Sequence, residues 1–98
     1  MSTPVILTPE AEQYLAEGRD WYERQRYGQG DEFVAAVGEV FERLAANPRM
    51  HQVVRKDVRR AVVTGFPWVV FYRALTDRVS VIAVHDARSD PNRWKRRT

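Results

Sequence analysis

Near the C-terminal end of this sequence, His85 is the side chain that exchanges a proton around neutrality, which makes it the candidate general acid or base. It has a second reading. Alternation sets Val79, Val81 and Ala83 on the same side as His85, so it also reads as the last inward residue of a strand. His51, in a loop after Pro48, reads as exposed and inert. Asp86 and Asp90 suit turn capping, or pairing with Arg88 and Arg93, because two carboxylates without a histidine cluster make a poor metal site. The chain has no cysteine, which removes thiolate zinc sites and disulfides, and no metal or other cofactor is expected.

Cations carry the stronger signal. Arginine supplies fourteen of the sixteen Lys and Arg residues, and its planar fork suits phosphate and carboxylate better than a lysine point charge does; a genome rich in arginine codons accounts for the ratio equally well. The first 46 residues hold four arginines against nine acids, a charge of −5, and residues 47–98 hold twelve cations against four acids, a charge of +8. That asymmetry points to a polyanion or an acidic partner for the second half. Arg49, Arg55, Lys56, Arg59 and Arg60 form one basic group, and Arg88, Arg93, Lys95, Arg96 and Arg97 form another around Trp94. Strand alternation over residues 58–63 turns Arg59 and Arg60 to opposite sides, so only part of the first group shares a patch.

The elements that position these groups follow from spacing. Thr3 to Leu7 is a short β-favouring run, and Thr8-Pro9 caps a helix with proline at its first position. Ala11, Tyr14, Leu15, Gly18, Trp21 and Tyr22 recur at three and four residues along that helix, and Gly28-Gln29-Gly30 breaks it. Phe33, Val34, Val37, Val40, Phe41 and Leu44 form the stripe of a second helix ending at Asn47-Pro48. After residue 57 the period changes to two. Val58–Val63, the run after Pro67 to Ala74, and Arg78–His85 read as a meander of antiparallel strands joined by short links, with one helical turn after Asp90-Pro91. The expected fold is α+β, ordered β-α-α-β-β-β, with a helical hairpin on a small antiparallel sheet.

Ninety-eight residues, 44% of them hydrophobic, suit one domain spanning 1–98. A chain of this size buries roughly 60 to 68% of its unfolded surface, enough to fold without staples. Val5-Ile6-Leu7 is too short for a signal core or a membrane span, so a cytoplasmic protein with no membrane role is expected.

The opening strand with TPEAEQYLAEGRDWYERQ, then GQGDEFVAAVGEVFERLAANP, VRRAVVTGFPWVVFYRA and VSVIAVHDARSDPNRW, resembles in order, spacing and length the RelE/ParE superfamily of toxins from type II toxin-antitoxin systems. The resemblance covers nearly the whole chain and implies a cognate antitoxin that folds onto the toxin in a hetero-oligomer. Trp21, Tyr22, Tyr27, Trp68 and Trp94 are candidate anchors for it.

The resemblance also implies one of two targets. RelE-type members cleave mRNA in the ribosomal A site. Arg73 and Arg88 resemble the arginines that hold the scissile phosphate there, with His85 as the remaining proton carrier. ParE-type members inhibit DNA gyrase by binding, which needs no acid or base. Arg59, Arg60, Arg93 and Trp94 are then the candidate contacts. The balance tips to the ParE-like side. Trp94 stands where nuclease members often carry a tyrosine, and Lys56 is alone where they tend to carry several lysines.

Overall fold

The computed structural model describes residues 3–88. Thr8 caps α1 (Pro9–Gln25): its Oγ1 accepts from the Ala11 amide at 3.2 Å, and Pro9 opens the first turn. Gly28 then takes φ +86°, a left-handed conformation that costs glycine little, and starts α2 (Gln29–Ala46). The Glu23 carboxylate fixes this turn by accepting from the Gly28 and Gly30 amides at 3.0 and 2.9 Å, and those bonds hold its pKa below the ordinary carboxylate value.

Five strands form one sheet in the order β1-β5-β4-β3-β2: β1 (Val5–Leu7), β2 (Val53–Arg55), β3 (Val58–Val62), β4 (Trp68–Ala74) and β5 (Val79–Asp86). The α+β class and the helical hairpin on a sheet match the sequence expectation, with two differences. The sheet is mixed, because β1 runs parallel to β5, with Val5 opposite Val79. The whole α1–α2 hairpin lies between β1 and the later strands, and a connection of that length permits parallel pairing. The second difference is β2, a three-residue edge strand with a register irregularity against β3 and no buried residue, too short to show an alternating pattern.

One face of the sheet takes the helices. Ala11 and Tyr22 of α1 and Phe33, Val37, Val40 and Leu44 of α2 pack on Ala61, Val63, Trp68, Val70, Tyr72, Val79, Val81 and Val84. Gly18 lets α1 close on β4. A Cβ there would lie 2.7 Å from Cη2 and 2.8 Å from Cζ2 of Trp68, a ring held in the core. Gly18→Ala is therefore expected to destabilise by about 1–3 kcal/mol through overpacking, despite alanine's better helix propensity. A urea melt checks this.

A bulge resets β5. Ala83 faces Phe71 and Val81 faces Tyr72, which leaves Ile82 unopposed. Val79, Val81 and Val84 accordingly lie on the helix face, while Ile82 and Ala83 join Val58, Val69 and Phe71 on the other. The expectation that Val79 and Val81 share a side with Ala83 and His85 is corrected here: one inserted residue flips the parity midway along the strand.

Candidate functional site

On the face away from the helices, β4 presents Val69, Phe71 and Arg73, and His85 sits opposite Val69. The His85 ring stacks on Phe71 at 5.5 Å and is 4% exposed. Its Nδ1 lies 3.0 Å from the Asp86 carbonyl oxygen, and its Nε2 is buried without a hydrogen-bond partner. Arg73 points its Nε at Asp57 Oδ1, 2.9 Å away, and this hydrogen bond holds the Asp57 carboxyl below its ordinary range.

Arg88 belongs to a different place. It grips Asp86 through Nε at 3.1 Å and Nη2 at 2.8 Å, and its amide donates to the same carboxylate at 2.8 Å. The Arg88 bonds depress the Asp86 pKa, and Asp86 in turn raises that of Arg88. Asp86 stands across from Trp68 and Ser80 across from Arg73, so the two registers lie five residues apart along β4, about 16 Å. Arg88 also borders a cleft with Trp21, Tyr22, Phe66 and Pro67, on the helix side of the sheet. The structure thus brings His85 and Arg73 to one face with Phe71 between them, and does not bring Arg73 and Arg88 together. Both ion pairs are exposed, and such pairs contribute about 0–1 kcal/mol, so either arginine exchanges its carboxylate for a partner's anion at little cost.

The first basic group divides as alternation requires. Arg60 is exposed, whereas Arg59 turns to the helix side and its Nη1 donates to the carbonyls of Arg49 at 3.1 Å and His51 at 2.6 Å. Arg59 pins the 47–52 loop together with Tyr72, whose hydroxyl donates to the Pro48 carbonyl at 2.9 Å. Arg93 and Trp94 fall outside the described residues, as do Asp90-Pro91 and the other cations of the second basic group beyond Arg88.

His51 departs from its exposed reading. It is half-buried against the edge of Tyr72, its Nε2 is closed off without a partner, and burial, followed by the charge of Arg43, lowers its pKa. The native state therefore binds fewer protons at this site than the unfolded chain does. Stability attached to neutral His51 is present above about pH 6.5 and is lost as the pH falls below it. Urea midpoints measured from about pH 7.5 down to 5 are expected to fall less in His51→Gln than in the wild type.

Part of the apolar stripe of α1 lines an open cleft. Tyr14, Glu17, Gly18 and Trp21 meet Tyr22, Trp68, His85 and Asp86 around about 310 Å³. Spacing alone does not separate a core-facing stripe from its rim; exposure does, and Trp21 is 47% exposed. Among the described residues, no group of three or more His, Cys, Asp or Glu is placed to hold a metal ion, and no helix is long and apolar enough to cross a membrane.

A family model described as the ParE toxin of type II toxin-antitoxin system, parDE, matches residues 5–91. Among solved structures, a chain of the chromosomal ParDE TA system from P. aeruginosa aligns with a TM-score of 0.63 at 15% identity, over 87% of this chain and 96% of its own length. No curated protein sequence matches. At that identity the structural likeness speaks for the fold: two helices packed on a mixed five-stranded sheet.

Proposed function

Because the chain belongs to the ParE toxin family of type II toxin-antitoxin systems, we propose that it is a growth inhibitor that acts on DNA gyrase and is silenced by a cognate antitoxin in a hetero-oligomer. The family match over residues 5–91 carries this reading. Geometry supports it from a second side. A phosphoryl-transfer site needs its cationic groups converged on one phosphorus, and Arg73 and Arg88 sit at opposite ends of the β4–β5 pair. Inhibition by binding asks only for surface. The chain supplies half-exposed Trp21, Tyr27 at 93% exposure, and the exposed cations Arg60 and Arg88.

Cytoplasmic action follows from a gyrase target. The antitoxin's part is to cover these side chains with a segment that folds on binding, drawn by the positive second half of the chain. Pulsed expression is expected to arrest growth with an SOS response and loss of negative supercoiling while transcripts stay intact, and purified protein to inhibit supercoiling by gyrase in vitro. Co-expression of the antitoxin restores growth. Transcripts cut at ribosome-occupied codons, with gyrase unaffected, would replace this reading with the RelE-like endoribonuclease.

A further inference from the structure

The cleft between α1 and the end of β5 has a consistent chemistry. Tyr14, Glu17, Gly18 and Trp21 follow one another at intervals of three, one and three residues, which sets them on one side of α1. Beneath them, Trp68 Nε1 donates to the Tyr22 hydroxyl at 3.1 Å, and Trp21 meets Tyr22 edge-on at 5.0 Å, so the aromatic lining is held in place before anything binds. Two carboxylates, Glu17 and Asp86, border it. Asp86 already binds one guanidinium at its outer edge, that of Arg88. Glu17 is exposed, accepts from the Gln13 amide at 3.2 Å, and has no cationic partner among the described residues.

Aromatic rings and an unmatched carboxylate together repel anions and attract a flat cation with several N–H donors on an aliphatic stem. Lysine fits less well, since its ammonium is compact and strongly hydrated. We infer that this cleft receives an arginine side chain from a protein bound to the toxin, with the guanidinium on the Trp21 and Tyr14 rings and paired to Glu17. The inference rests on the toxin's having a protein partner and names the residue chemistry by which that partner would be read. It also places an acidic pocket on a molecule whose second half is basic, so a partner that is acidic overall would be set in register by one cation of its own.

The test uses the full chain, isotope-labelled, with the indole N–H resonances of Trp21 and Trp68 and the Gly18 amide as reporters. The probes are N-acetyl-arginine amide, its neutral isostere N-acetyl-citrulline amide, and free L-arginine. The arginine amide is expected to shift these three signals together and to bind about five- to tenfold more tightly than the citrulline amide. Glu17→Gln, a surface change that leaves the melt unaltered, is expected to remove most of that preference, and Trp21→Leu to weaken both probes. Equal binding of the two amides, a preference that survives Glu17→Gln, or no shift at all would overturn the assignment. Tighter binding of free L-arginine than of its capped amide would also overturn it, in favour of a small-molecule site. Neither gyrase nor antitoxin enters the titration, so it can fail while the proposed function stands, or succeed while that function falls.

Discussion

Phe33→Ala is expected to cost the fold about 3–5 kcal/mol. Phe33 is fully buried, and its ring centroid lies 5.0 Å from Tyr22, 5.3 Å from Phe66 and 4.8 Å from Trp68, so truncation opens a cavity at the point where both helices meet β4. Domains of this size are typically stable by about 5–15 kcal/mol, so the variant loses a large part of its margin. Urea unfolding gives the number. Val34→Ala is the internal control. Val34 stands on the same predicted stripe but is 40% exposed, and its change is expected to stay within about 0.5 kcal/mol. Toxicity should fall with the folded fraction of Phe33→Ala and return at lower temperature. An equal effect of the two substitutions would contradict the burial pattern.

The second large effect concerns the two arginines. If the chain binds gyrase through its exposed cations, Arg88→Ala is expected to weaken inhibition by about 1–3 kcal/mol, roughly five- to 150-fold, and the loss should shrink as salt rises. Arg73→Ala is expected to act independently. Sites more than about 7–10 Å apart with no shared partner add within about 0.5 kcal/mol, and these two have separate carboxylates, Asp57 and Asp86. The double variant in a supercoiling assay should therefore equal the sum of the singles on a free-energy scale. A phosphate clamp behaves otherwise: either single change disables it and the second adds little. A non-additive pair would argue that the arginines converge on one target group.

The helical half was legible because its signals are local. Thr8-Pro9 caps α1 where the residues predict; of the Gly28-Gln29-Gly30 break, Gly28 lies in the turn between the helices, while Gln29 and Gly30 already belong to α2. Strands β3, β4 and β5 fall within a residue or so of their predicted bounds. Besides the short edge strand β2, three features escaped, each decided by distant residues. The direction of β1 depends on β5, 74 residues along the chain. The parity of His85 depends on a bulge that appears only when β5 pairs with β4. The burial of His51 depends on Tyr72 and Arg59 folding back over its loop. For the candidate site, the sequence supplied the residue types, and what it lacked was convergence. Arg73 and Arg88 are each plausible phosphate ligands in a linear reading, and the register of two strands separates them.

The pairing of β1 with β5 also bears on the order of events at the ribosome. Residues 5–7 are among the first to be made and find their neighbour only when residues 79–81 have been added. The Thr8 hydroxyl likewise waits for the Ile82 carbonyl, 3.4 Å away in the finished sheet. Contacts this remote are slow to form, because the intervening loop must close before they reward it. A nascent chain stopped short of β5 lacks the strand that joins β1 to β4, and with it Val79, Val81 and Val84 of the core. A chain truncated before residue 79 is therefore expected to stay unfolded and inactive, which circular dichroism of the fragment and its effect on growth would check.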